Sequence, residues 1–319
     1  MNTIGIGIIG TGSIANGGHA PAIANINNAK LVGVLSRDLK RGQDFIKEHK
    51  FDDAIVHTSL DSFIGDKNIQ IAIICSPDAL HASQAEACIK SGKNVLIEKP
   101  MALNINDCQH LIKLAEEYKV TLTTGFHLRH HSGHRILQEQ IKNNRIGNII
   151  NIRVIWAWPQ PDNNNWRARA ELAKWWSLSA VGTHCFDMIR WMSGNDKDFT
   201  SLGAVTSNAI WGGPHDESAV VCGALTSGTT FDLTSSVQFG PYNRLEIFGS
   251  SGYSICQNTF GRAGGGDIWI NDSKIDFIPI NPFVAQLQDL INCVIANKTP
   301  IVDAYAGLRN VQDLSMVVK

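Results

Sequence analysis

The chain has 319 residues, 44% of them hydrophobic and 18% charged, with a formal net charge of −1. That length accommodates two ordinary domains, each with its own core. The charge balance argues against the concentrated basic surface that nucleic acid or an anionic membrane requires, and no apolar run approaches the roughly 20 residues of a membrane span.

The first strand candidate follows Asn2-Thr3, which is no charged leader, so a secretory signal is not expected. Continuous apolar runs then predict strands at Ile4–Ile9, 31–36, 54–56, 69–75, 94–98 and 121–126. Helical patterns fall between them near 13–25, 38–50, 78–90 and 106–118, the last with Asn106 as its cap. This alternation predicts a Rossmann-type, doubly wound parallel sheet over residues 1–125. Beyond 125 the pattern changes without a linker. A helix near 133–143 leads into β-rich runs at 148–157, 201–208, 217–225, 229–238, 244–249 and 268–278, separated by glycine-rich turns. Further helices are expected at 179–193, 282–297 and 303–317. The expected fold class is therefore α/β, with the Rossmann domain followed by an α+β domain over 126–319 built on a large, mostly antiparallel sheet.

Seven cysteines, Cys75, Cys88, Cys108, Cys185, Cys222, Cys256 and Cys293, are scattered with no CxxC pair. They read as reduced core thiols in a cytoplasmic protein, not as a disulfide framework or a zinc site.

The first chemical signal is Gly10-Thr11-Gly12-Ser13-Ile14-Ala15, which follows an apolar strand and opens a helix. Gly10 permits the tight turn, Gly12 lets a pyrophosphate approach the backbone, and Ala15 still allows close helix–strand packing. Gly10, Thr11, Gly12, Ser13 and Ile14 are thus candidate cofactor contacts. At the end of the second strand Ser36 stands where an NAD enzyme usually carries an acid, followed by Arg37, Lys40 and Arg41. Ser36, Arg37 and Arg41 suit a 2′-phosphate, which favours NADP over NAD. Asp38 is either the ribose acid or merely a helix N-cap.

The segments Cys75-Ser76-Pro77-Asp78-Ala79-Leu80-His81, Glu98-Lys99-Pro100, Gly125-Phe126-His127-Leu128-Arg129, Asn165-Trp166-Arg167 and Gly182-Thr183-His184-Cys185-Phe186-Asp187 carry a resemblance to the Gfo/Idh/MocA oxidoreductases. The resemblance spans nearly the whole chain. It implies a hydride transfer between a nicotinamide and a hydroxyl or carbonyl carbon of a sugar, cyclitol or related diol. It implies Lys99 and His184 as the groups that handle the substrate proton, since a partly desolvated lysine and a histidine suit proton transfer. Asp187 and Arg129 would touch substrate. Cys75, Ser76, Pro77, His81, Glu98, Lys99 and Arg167 would line the cofactor. It also implies a homodimer or homotetramer formed through the C-terminal sheet.

One position departs from the family pattern: Ala180 stands where many members carry an aspartate four residues before the histidine. Trp166 and Trp176 are candidate stacking surfaces for a polyhydroxylated ligand, or they simply fill a core. His127, His130, His131 and His134 lack a third ligand type at metal-site spacing and read as a solvated or cofactor-edge cluster, so no metal is expected. Two alternatives stay open at this stage: an NAD-dependent glycosidase of the same family, and a non-catalytic cofactor-binding module.

Overall fold

The computed structural model describes residues 3–194 and 198–317; Asn2, read above for a leader, lies outside them. The chain divides into two compact units. One is Met1–Gly125 with Phe283–Val311, the other Phe126–Pro282 with Gln312–Lys319.

In the first unit, β1 (Ile4–Ile9), β2 (Ala29–Leu35), β3 (Ile55–His57), β4 (Ile71–Ile74), β5 (Asn94–Ile97) and β6 (Leu122–Thr124) form a parallel sheet in the order β3-β2-β1-β4-β5-β6. β1 and β4 are buried along their full length, which is why they read as unbroken apolar runs. The connections carry α1 (Ala20–Ala24), α2 (Leu39–Glu48), α3 (Leu60–Gly65), α4 (His81–Lys90) and α5 (Ile105–Tyr118). The six-residue α3 was not expected from the sequence. α5 is capped by Asn104, whose side chain accepts the Asp107 N–H, two residues before the expected Asn106. Before α1 the helix widens into a π turn, Ala15–His19, where the Ala20 N–H reaches back to Ala15 O. Pro21 follows at once; proline crowds the preceding turn and lacks a donor, and a widened turn accommodates it.

The strands feed one hydrophobic cluster on each face. Ile6 and Ile8 enter a cluster with Ile23 and Phe45, while Ile9 and Ile74 enter another with Phe63, Ala85 and Leu111. The helix Pro282–Ala296, which the sequence pattern groups with the second part, supplies Phe283, Leu287, Leu290 and Ile291 to the Ile6/Ile8 cluster. Their helical spacing makes one apolar stripe, and burying each such side chain contributes roughly 1.5–3 kcal/mol.

In the second unit, α6 (Ser132–Lys142) precedes β7 (Ile149–Ala157), and α7 (Thr183–Ser193) precedes β8 (Phe199–Ser207), β9 (Ser218–Leu225), β10 (Thr230–Ser236), β11 (Tyr242–Gly249), β12 (Gly252–Gln257), β13 (Asp267–Ile270) and β14 (Ser273–Lys274). Their order is β14-β13-β12-β11-β7-β10-β9-β8. Neighbours are antiparallel except β7 and β10, which run parallel. β12 was not expected, and the run at 268–278 breaks into β13 and β14 at Asn271, which adopts φ 52°. α7 packs on β7 and β10, and Ile152, Val154, Leu233, Leu245 and Ile247 are buried on these strands.

Candidate active site

All six strands of the first sheet run the same way, so Gly10, Ser36, Cys75, Glu98 and Gly125 lie together along its carboxyl edge. The order reverses between β1 and β4, and crevices at such reversals are where open α/β sheets bind ligands. Gly10 adopts φ +92°, and a Cβ there would fall 3.0 Å from Cys75 O. A Cβ on Gly12 would meet nothing within 4 Å. The loop therefore leaves open space where a bulky phosphate could rest on the backbone, and the residues present fit a dinucleotide. Asn16 Nδ2 donates to Thr11 O at 3.1 Å and Gly12 O at 3.3 Å, and Arg41 Nη2 donates to Thr11 O at 3.3 Å. Ser13 is exposed and Ile14 half-buried where the helix begins. Asp38 is the N-cap of α2 and accepts the Arg41 N–H. Ser36 Oγ donates to Asp38 O at 2.8 Å, and Arg37 is exposed.

At the end of β4, Cys75 is buried. Burial pushes its thiol well above the ordinary value, and the Glu98 carboxylate adds to the shift. Ser76 Oγ donates to Gln84 Oε1 at 2.6 Å, and Pro77 leads into a short 3₁₀ turn, Asp78–Leu80. His81 is buried with Nδ1 2.8 Å from Pro100 O and Nε2 2.9 Å from Ser76 O. Both ring nitrogens of this expected cofactor residue are thus engaged within the protein. At the end of β5, Glu98 Oε1 lies 2.7 Å from Nε2 of His19, a residue that the sequence reading missed. Its only sequence signal is a position two turns into the helix that the glycine loop opens. Lys99 follows, only 8% exposed.

In the second unit, His184 occupies the first turn of α7, directly after a second π turn, Leu178–Gly182, in which the Thr183 N–H bonds to Leu178 O. Its ring lies 6.1 Å from Phe126, 4.9 Å from His127 and 5.1 Å from Trp156, centroid to centroid. None of these three was expected beside it. Asp187 and Arg129, both expected at the substrate, are paired with each other. Arg129 Nε donates to both carboxylate oxygens at 3.0 Å, and Nη2 donates to Oδ1 at 2.7 Å. Both are buried, and burial raises the Asp187 carboxyl against the opposing pull of Arg129.

Trp176 is buried, and its ring lies 4.7 Å from that of Trp211 at 32°. Adjacent buried acids hold the two tryptophan backbones. Asp216 accepts the N–H groups of Trp176 at 2.9 Å and Leu178 at 2.8 Å, and Glu217 accepts those of Ile210 at 3.1 Å and Trp211 at 2.7 Å. Arg167 lies over the Trp166 ring at 4.1 Å and donates through Nε to Ser179 Oγ at 3.1 Å. At Ala180, the departure from the family pattern, the backbone N–H bonds to Trp176 O.

The histidine cluster is buried, which corrects its reading as solvated. His134 Nε2 lies 2.8 Å from Thr259 Oγ1, and His131 stacks on His134 at 4.3 Å and reaches Gly265 O through Nε2. Burial lowers His130 to about 3, with Arg135 and Arg129 adding repulsion, and lowers His131 and His134 as well. Among the described residues no group of three or more His, Cys, Asp or Glu side chains could hold a metal ion.

A doubly wound sheet with an open glycine turn and a buried lysine on the same edge defines a dinucleotide-dependent enzyme. Residues 4–126 match the profile described as an oxidoreductase family with an NAD-binding Rossmann fold, and residues 134–254 match the GFO/IDH/MocA C-terminal domain. The chain belongs to the Gfo/Idh/MocA family of NAD(P)-dependent oxidoreductases. It is 26% identical over 281 residues to a 1,5-anhydro-D-fructose reductase of Ensifer adhaerens, covering 86% of this chain and 83% of that one. It is 27% identical over 260 residues to a myo-inositol 2-dehydrogenase of Thermotoga maritima, covering 79% and 75%. The crystal structure of an aldose-aldose oxidoreductase from Caulobacter crescentus superposes with a TM-score of 0.91 at 20% identity, covering 99% and 96% of the two chains.

Proposed function

We propose that the chain moves a hydride between a nicotinamide and a hydroxyl- or carbonyl-bearing carbon of a sugar, cyclitol or related diol. The observation that carries this reading is the shared sheet edge, where the open space above Gly12 and the buried Lys99 occur together. When bound, the nicotinamide supplies or accepts the hydride. Lys99 and His184 exchange the proton of the substrate oxygen, the role that the family resemblance implies for both. Asp187 and Arg129 serve the substrate through the position of α7, since each is committed to the other. Trp166, half-buried, supplies flat apolar surface for the C–H faces of a polyol, while Trp176, buried against Trp211, fills the core. The relatives named for anhydrofructose and inositol support that substrate class.

NADP is the preferred cofactor in this reading. Asp38 is occupied as a helix cap, Ser36 ends β2, and Arg41 bonds to the carbonyl of Thr11 within the glycine loop. The protein is further read as cytoplasmic, since all seven cysteines are free. Among the described residues no helix is long and apolar enough to cross a membrane. A homodimer or homotetramer through the large sheet is supported by the paired strand residues Val205 and Val220, 74% and 52% exposed, and by Phe248, 37% exposed. Light scattering in solution tests that assembly.

The central test is a turnover screen of sugars, cyclitols and diols with NADPH and NADH. Lys99→Met and His184→Ala are expected to lower kcat by roughly 10²–10⁴-fold. Full activity in either variant removes that residue from the reading. Ser36→Asp is expected to move preference toward NADH by about tenfold, or ~1.4 kcal/mol. Tighter NADH than NADPH binding by the unaltered protein would overturn the NADP assignment.

A further inference from the structure

Lys99 leaves β5 between two residues that are each anchored by a histidine from a different element. On one side stands Glu98. A carboxylate only accepts, so the His19 Nε2, 2.7 Å from Oε1, donates to it, and a short buried bond to a carboxylate is among the stronger hydrogen bonds. The other carboxylate oxygen, Oε2, accepts the backbone N–H of Lys99 itself at 3.3 Å. Glu98 therefore spans from the His19 ring to the peptide from which the lysine departs. On the other side stands Pro100, whose carbonyl oxygen lies 2.8 Å from His81 Nδ1. The same ring places Nε2 2.9 Å from Ser76 O, so it sits between the segment after β5 and the segment after β4.

Both anchors are themselves constrained. His19 is fully buried and closes the π turn, and its ring meets Phe283 edge-on at 5.2 Å. A Cβ on Gly18 would fall 2.8 Å from the Phe283 ring, so the turn sits directly against it. A Cβ on Gly125 would fall 2.9 Å from Glu98 Oε1, so β6 ends on the glycine that leaves room for the carboxylate. His81 is 1% exposed at the start of α4.

We propose that His19 and His81 are positioning residues that aim Lys99 by fixing the peptides on either side of it. This rests on the reading that Lys99 handles the substrate proton. A lysine stem has four rotatable carbons, so the placement of its amine depends on a fixed point of departure, and errors of an ångström at a reacting group are costly. Neither imidazole needs to touch substrate for this role.

The test is steady-state kinetics with a parallel cofactor titration on the full chain, using His19→Leu, His19→Gln and His81→Gln with Lys99→Met as reference. His19→Leu is expected to lower kcat roughly 10–100-fold while substrate KM and cofactor Kd move less than about threefold. His19→Gln is expected to recover most of that loss, because one amide N–H can replace the one donated bond. His81→Gln is expected to stay low, because a single amide nitrogen cannot meet oxygens on opposite sides of the ring. An unchanged kcat in His19→Leu, or a loss carried entirely by KM or cofactor Kd, overturns the proposal. Where His19→Leu does not fold, His19→Asn replaces it; its shorter amide should leave kcat below that of His19→Gln, and equal values overturn the proposal. Lys99→Met that still turns over removes the lysine reading and the bracket with it. An inactive Lys99→Met beside a fully active His19→Leu removes the bracket alone.

Discussion

Gly10 and Gly12 are placed by backbone: the end of a strand in a parallel sheet, a positive φ, and a missing Cβ above open space. His184 is placed by side chains, among Phe126, His127 and Trp156, on a helix buttressed by the Arg129–Asp187 pair and begun by Asp216. A backbone site and a side-chain site fail differently. Backbone placement is shared among many ladder bonds, so single side chains can change without disturbing it. A buried polar network concentrates its stability in a few charged bonds, and removing one partner strands the other.

The sharpest way to break this contrast is Arg129→Leu, which leaves Asp187 buried without its guanidinium. The expected cost is about 3–5 kcal/mol, read as a lower urea midpoint by tryptophan fluorescence, and an unmoved midpoint would show the pair to be dispensable. Gly12→Val probes the other side. Its side chain enters open space, so stability should move by less than about 0.5 kcal/mol while NADPH binding weakens roughly a hundredfold, or about 2.7 kcal/mol. A destabilised variant that still binds cofactor would invert the contrast.

Acid should act on the second unit through His130. Its folded value of about 3 lies below the ordinary 6.5, chiefly because burial disfavours the imidazolium. Between these values the unfolded chain takes up a proton that the folded chain refuses. The stability is therefore complete above pH 6.5 and declines as the pH falls through that window. By pH 5 the loss from this group is about 2 kcal/mol, and His130→Gln should flatten the slope of urea midpoint against pH. The smallest effect is expected for Trp211→Ala, about 1 kcal/mol from the lost ring pair, with a change in the near-ultraviolet dichroism of Trp176.

The same contrast explains what the sequence disclosed. β1 was legible to the residue, because Ile4–Ile9 is a continuous apolar run closed by Gly10. The fold class, and Lys99 on a strand end, followed from the same local grammar of runs, caps and glycines. β12 was not legible, because Gly252–Gln257 begins with glycine, alternates half-buried and buried residues, and carries no branched run. The pairing of Arg129 with Asp187 joins positions 58 residues apart, and that of His134 with Thr259 joins positions 125 apart. No local pattern encodes either pairing. Asp187 reads as a substrate group because its arginine lies in a different element, and nothing local to His19 points to Glu98, 79 residues away.

The return of residues 283–311 to the first unit bears on how the protein is made. The face of the sheet bearing Ile6 and Ile8 closes only with Phe283, Leu287, Leu290 and Ile291 in place. Until most of the chain has left the ribosome, that face is covered only in part, by residues such as Ile23 and Phe45, although every strand of its sheet has already been synthesised. A fragment ended near residue 126 would carry the complete glycine turn and lysine yet leave the apolar surface that Phe283, Leu287, Leu290 and Ile291 cover open to solvent, a surface prone to self-association. The stretch Phe126–Pro282 of the second unit thus interrupts the first. Its synthesis sets the delay before the nucleotide-binding half can close.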